Sequence, residues 1–485
     1  MAAAYVLDAS GTVVYCVGYA GSEGRLCRSD LPEVEDGIRC ATTSPNPLQA
    51  ALDFAAANGL REVRLDAGEY TFDEPQPSHT GRIGFYVPSN IHLKGVMHGA
   101  EPATVLMPSA AADTTAEERT RGEQRFEVLV LPSGSRTDRS VPLVNTTIEA
   151  VQLNNRCIGG VCLWASGGTG FRLLRVHSMG SRQSSLIVGH WDSDIEDPEV
   201  KFRASIYYAR GFEIGWCQVH TANGDGICVI GKAGVVHDCL CENGTTTWDN
   251  GLTTFIGSEC IRFRHNRVIS FPVGIGLDGA FMPCRQLPGM DPAAAEKLSN
   301  EKLWELYHGR EGYHRDHEID HNRFLNCRRG IILHRATGIL IHDNVCEGRA
   351  VSDGLSLEEA DGNRVWANRV SGFEVGCRVY AHQYSATNAD GSHIGASGNV
   401  VGLDMSGAAA GNDLRGNQYG VLLVKAHPEG HVSRNVFRAN DCRDCGVPFD
   451  FTAGDGGPGR QFSTGNLPAA MNFPANPQRV QGRAP

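Results

Sequence analysis

Asparagine returns in one local setting again and again along the second half of this chain. The segments are Ile261-Arg-Phe-Arg-His-Asn266, Ile319-Asp-His-Asn322, Ile341-His-Asp-Asn344, Val365-Trp-Ala-Asn368, Ala396-Ser-Gly-Asn399, Asp413-Leu-Arg-Gly-Asn417 and Val432-Ser-Arg-Asn435. From Asn322 onward the steps are 22, 24, 31, 18 and 18 residues. Several segments lead into a glycine and a short alternating apolar run, as in Gly330-Ile-Ile-Leu333, Gly354-Leu-Ser-Leu357 and Gly420-Val-Leu-Leu423. A period of roughly 20–25 residues built from short strands and turns means a solenoid. The leucine spacing of leucine-rich repeats is missing, and so is the helical periodicity of two-helix repeats. The pattern that fits is a parallel β-helix, an all-β fold in which short strands of each coil stack on the next. Turn asparagines in register would hydrogen-bond along a ladder, as identical residues do in cross-β stacks.

Earlier coils are less regular: Gly84 to Leu93, Thr147 to Val151, Phe171 to Arg175, Phe212 to Trp216 and Val235 to Asp238. Before them, Asn46 and Pro47 open a helix as cap and first residue, with Leu48, Ala51, Leu52 and Ala55 on one face and Asn58-Gly59 at its end. A solenoid needs its open end covered, and this helix is the expected cap. The organisation read from the chain is an N-terminal strand/loop segment (1–45), a β-helix domain (46–453) with a helical insertion (282–315), and a coil-like tail (454–485). The 58 glycines fit a fold with many turns, and the 16 cysteines in 485 residues read as small core and ladder residues rather than a disulfide scaffold. The net charge of −11 argues against nucleic acid as partner. No apolar run is long enough to span a bilayer, so no membrane partner is expected. Met1 to Tyr5 and onward lack a secretory pattern, so a cytoplasmic location is expected, or a secreted one if a leader has been removed.

The capping helix, the following Val63-Arg-Leu65 strand, Ala67-Gly-Glu-Tyr70, Val87-Pro-Ser-Asn90-Ile and the Asn-bearing coils together resemble the right-handed parallel β-helix superfamily of pectate-lyase-like proteins. That group includes pectate lyases, polygalacturonases, alginate lyases and mannuronan C5-epimerases. The resemblance implies the right-handed single-stranded fold and an activity on carbohydrate. The Asn-Thr-Asp, Asp-Asp and Gly-His-Gly series of polygalacturonases is missing, as is the Asp-Pro-His motif of the epimerases. A homo-oligomer is expected by analogy only.

Chemistry is expected on the outer face of one sheet. If the glycine opening each strand is the reference, residues +1 and +3 face the core and +2 and +4 face out. The +4 column then runs Ile230, Phe255, Asp278, His334, Glu358, Tyr380, and the +2 column Cys228, Thr253, Gly276, Ile332, Ser356, Arg378. Asp278, His334, Glu358 and Tyr380 are the catalytic candidates. Arg378, Thr253, Ser356, Arg335, Glu359, Trp191 and Lys232 are the substrate-binding candidates. Asp278 and Glu358, two coils apart, would stand roughly 9–10 Å apart, a separation that suits the acid and base of an inverting glycosidase. Alternatively Arg378 neutralises a uronate while His334 or Tyr380 moves the C5 proton, giving a lyase or epimerase. Arg378 could also pair simply with Glu358. A helix in the insertion, opened by Asp291-Pro292 and closed by Gly309, reads as a substrate lid or a packing element. The acidic loop from His190 to Asp197 could hold calcium, and no organic cofactor is implied. Two other classes fit the same sequence: an intracellular isomerase, epimerase or cyclase acting on a small molecule, and a non-catalytic carbohydrate-binding spike.

Overall fold

The computed structural model describes residues 3–19, 42–110, 112, 125–138, 140–189, 208–244, 249–255, 257–278, 314–381, 395–425, 432–451, 461–464 and 466. They fall into two compact units, residues 1–190 with 205–246, and residues 191–204 with 247–485. Each unit is built mainly from short strands in parallel stacks, and the first also carries a helix.

In the first unit, strands Ala3–Leu7 and Val13–Tyr19 form an antiparallel hairpin, and Ala3–Leu7 also pairs antiparallel with Glu62–Leu65. The helix Pro47–Ala57 begins as its sequence dictates. Asn46 accepts a hydrogen bond from the Gln49 backbone N–H at 3.0 Å, and Leu48, Ala51, Leu52 and Ala55 are buried. Gly59 takes the left-handed conformation that ends the helix, with φ +65°. Beyond it, Gly81–Val87, Val128–Pro132, Val161–Ala165, Leu186–Val188 and Ile227–Val229 stack in parallel.

The second unit holds three stacks. One comprises Asn250–Phe255, Val273–Asp278, Arg329–His334, Asp353–Glu358, Val375–Ala381, Tyr419–Lys425 and Val447–Asp450. A second comprises Arg262–Arg264, Glu318–Asp320, Leu340–His342, Arg364–Trp366, Val400–Val401, Asn435–Arg438 and Gln461–Thr464. A third comprises Arg267–Ile269, Arg323–Cys327, Val345–Gly348 and Arg369–Ser371. Ile331, Leu333, Leu355, Leu357, Cys377 and Val379 point inward and are sealed from solvent, as the glycine-referenced register requires. Each such aliphatic side chain contributes about 1.5–3 kcal/mol by leaving water.

The asparagine ladder exists, with a different membership from the one expected. One column runs Asn266, Asn322, Asn344, Asn368, Asn412, Asn440, Asn466. Each Oδ1 accepts from the backbone N–H and Nδ2 of the asparagine before it, at 2.8–3.2 Å. Asn399 and Asn435 belong instead to a second column that starts at Asn363. Asn417 stands apart, capping the Phe373 N–H. Two corners of the coil each demand an amide, so one apparent series in sequence is two series in space. A left-handed residue precedes the corner asparagine in successive coils, as at His265, His321, Asp343 and Ala367, with φ between 53° and 57°. In the first unit Cys217 and Cys239 direct their thiols to the Leu173 and Ile214 carbonyls of the preceding coil, as the corner asparagines direct their amides.

The glycine that opens each strand is required by close approach. A Cβ on Gly376 would stand 2.7 Å from the Gly420 carbonyl oxygen, and one on Gly274 would stand 2.6 Å from that of Gly330. Part of the segment expected as a coil-like tail is structured: Gln461–Thr464 pairs with Asn435–Arg438, and Asn466 ends the ladder. The insertion helix expected within 282–315 lies outside the described residues except for the short strand His314–Arg315. The acidic loop with Trp191 also lies outside them.

Candidate functional site

The outward face of the first stack in the second unit carries the expected columns. His334 is in register with Glu358, Glu358 with Tyr380, and Tyr380 with Val424. Two residues earlier along each strand, Ile332 pairs with Ser356 and Ser356 with Arg378. Three proton-bearing side chains therefore stand on consecutive rungs, about 4.8 Å apart at the backbone. Asp278 closes its strand opposite Phe255; its side chain lies outside the described ones.

Burial on this face is deeper than an outer solenoid face implies. Ser356 and Thr253 are fully buried, and the His334 and Glu358 side chains are 10% and 13% exposed. Thr253 is not presented to a ligand: its hydroxyl donates to the Gly276 carbonyl at 3.0 Å. Ser356 donates to Glu358 Oε1 at 2.9 Å and so fixes the carboxylate. Arg335 and Glu359, expected on the substrate side, form a buried ion pair at 2.8 Å. Arg335 takes φ +54° at the strand end, which turns its side chain away from the column. Glu359 Oε2 also lies 3.8 Å from His334 Nε2 and backs the imidazole with negative charge.

Arg378 does not pair with Glu358. Its Nη2 lies 2.8 Å from Asp353 Oδ1, and among the described residues the cation paired with Glu358 is Arg329, at 3.9 Å. The Asp353–Arg378 contact is short but lacks hydrogen-bond alignment. Burial pushes the Asp353 carboxyl up to about 6, and Arg378 and Arg329 offset only part of that rise. Asp353 opens its strand as the first member of an Asx-Gly pair, a turn pattern that does not by itself place it behind the site. The available signal is its alignment with Asn250, which opens an equivalent strand with the same Asx-Gly pair. Asn250 reaches the Cβ position of Gly276 on the next strand, as Asp353 reaches Arg378. Lys232 belongs to the first unit, where its ammonium lies 5.0 Å from the Tyr208 ring centroid.

The arrangement is two-layered. Asp353 and Glu359 are sealed carboxylates behind Arg378 and His334. Glu358, Tyr380 and Arg378 reach the surface, with His334 buried beside them. Elsewhere in the same unit, His321, His342 and Asp343 bring metal-ligating atoms within 4.8 Å of one another.

Residues 214–447 match the family described as periplasmic copper-binding protein (NosD). Comparison with curated proteins gives no match. Among solved structures, the Azotobacter vinelandii mannuronan C-5 epimerase AlgE6 A-module superposes with a TM-score of 0.56 at 13% identity, covering 87% of this chain and 94% of that one. A variant tailspike protein of E. coli bacteriophage HK620, in complex with a pentasaccharide, gives a TM-score of 0.53 at 10% identity. There the alignment covers 81% of this chain and 62% of the tailspike, so the chain spans less than two thirds of that protein. Identities this low speak for architecture alone, and the architecture agrees with the parallel stacks and ladders: this chain is a right-handed parallel β-helix protein.

Proposed function

We propose that the protein is a carbohydrate-active enzyme that cleaves a glycosidic bond in a poly- or oligosaccharide by acid/base chemistry at the His334–Glu358–Tyr380 face. The observation that carries this reading is the register itself, which sets an imidazole, a carboxylate and a phenol on three adjacent rungs. Glu358, held by Ser356, is the proton-accepting group, and His334, backed by Glu359, is its partner in proton transfer. Arg378 and Tyr380 contact the sugar, with Asp353 positioning Arg378 from behind. The epimerase and the pentasaccharide-binding tailspike, which share the fold, support a sugar chain as the substrate class.

The test is a panel of neutral and acidic polysaccharides, read at 235 nm for unsaturated products and by a reducing-end assay. Reducing ends alone identify a hydrolase, and unsaturated products identify a lyase. Glu358→Gln and His334→Gln each lower turnover by about 10²-fold or more if they transfer protons in the reaction. Turnover that survives both substitutions sinks the proposal.

A further inference from the structure

We infer that His321, His342 and Asp343 form a binding site for a divalent transition-metal ion of the Zn2+/Cu2+ class, on a stack separate from the proposed sugar face. The three residues sit at one corner of two successive coils. Asp320 is in register with His342, and His321 and Asp343 are the left-handed residues that follow them, with φ of 57° and 56°. This shared turn aims all three side chains off the same corner, and their ligand atoms converge within 4.8 Å.

The rings are already oriented from behind. His321 Nδ1 lies 2.9 Å from Asp320 Oδ2, so Nε2 is the ligand nitrogen. Asp320 is itself fully buried and gripped by Arg262 through two hydrogen bonds, at 2.9 and 3.0 Å. His342 Nε2 lies 3.1 Å from Glu318 Oε1, and its ring stacks on Trp366 with centroids 4.3 Å apart. That leaves His342 Nδ1 as the second ligand nitrogen, beside Asp343 Oδ2 at 2.8 Å. Metal-ligating histidines characteristically carry a carboxylate on their other nitrogen, and here both do. Two imidazoles and one carboxylate suit Zn2+ or Cu2+ rather than Ca2+ or Mg2+, which take oxygen ligands. Three protein ligands leave coordination positions open to water or an added ligand.

The test is titration of the metal-free full chain with ZnCl2 by calorimetry, and with CuCl2 by electron paramagnetic resonance. Wild type is expected to bind one equivalent with low-micromolar or tighter affinity, and the Cu2+ spectrum should show coupling to two imidazole nitrogens. His321→Ala should weaken binding at least 10-fold and remove one nitrogen coupling. Asp343→Asn keeps a residue that tolerates the left-handed backbone and should weaken binding about 10-fold without loss of fold. It serves as the second readout if His321→Ala disturbs the corner, because it leaves the half-buried His342 and its Trp366 stack in place. Wild-type affinity in both His321→Ala and Asp343→Asn, or no saturable uptake by wild type, overturns the assignment.

Discussion

Removing one amide from the middle of the ladder should destabilise the second unit far more than its size suggests. In Asn368→Ala the backbone N–H of Asn344 loses its acceptor at 3.0 Å, and the Asn344 Nδ2 loses a contact at 2.9 Å. The Asn344 Nδ2 keeps the Ile319 and His342 carbonyls, so the backbone N–H is the group left stranded. On the other side, the Ile341 and Trp366 carbonyls and Asn412 Oδ1 each lose a donor at 2.9 Å. A buried N–H without a partner costs about 1–3 kcal/mol, and each further hydrogen bond about 0.5–1.5 kcal/mol. The sum is about 3–9 kcal/mol, or a fall in Tm of at least about 6 °C for a unit of this size. Thermal melts by circular dichroism measure the total, and amide exchange at Asn344 locates it. Arg415→Ala is the control, since Arg415 pairs with Asp413 and Asp441 at the surface, where solvent screens the ion pairs, and should leave Tm close to wild type. Equal stability of the two variants, or unchanged exchange at Asn344, refutes the ladder as a structural element.

Gly376→Ala should cost about 1–3 kcal/mol, because the new Cβ meets the Gly420 carbonyl rather than a side chain that can yield; a melt unchanged from wild type contradicts that close approach. Asp353 gives a pH signature. Its folded value of about 6 lies above the reference 3.8, so the native state holds the proton more tightly than the unfolded chain. Stability from this group is full below the unfolded value and falls as pH rises from 3.8 to about 6, by about 3 kcal/mol in all. Asp353→Asn should remove that slope, so that the Tm difference between variant and wild type grows across this window and is constant above it; parallel curves would show the carboxyl to be unshifted. In an active preparation, Asp353→Asn should also raise KM more than it lowers kcat, because it acts on Arg378 rather than on the reacting bond; a kcat loss as large as that of Glu358→Gln would place it in the chemistry instead.

Much of this structure follows from local rules. The helix cap at Asn46, the glycine-opened strands and the inward and outward alternation depend only on residues within a few positions of one another. They fixed the sheet, the face and the rungs on which His334, Glu358 and Tyr380 sit. The ladder was half legible. Asparagines at coil corners are a local signature, but which corner each occupies depends on coil length, and the long steps after Asn368 hid the division into two columns. Charge pairing was the least legible. Arg378 has Glu358 on the adjoining rung, yet meets Asp353 from the start of the neighbouring strand. Arg335 and Glu359 look like outward neighbours of the site, yet the left-handed turn at Arg335 folds them into a buried pair.

The amino-acid order alone thus determines the coil, its repeat and the side of the sheet each residue takes, because these are set by periodicity and backbone sterics. Burial and partnership are decided only when coils stack, since they depend on what another coil brings within a few ångströms. That is why Asp353 becomes a raised-pKa carboxyl behind the site, and why His321, His342 and Asp343, 21 and 22 positions apart in the chain, converge at one corner.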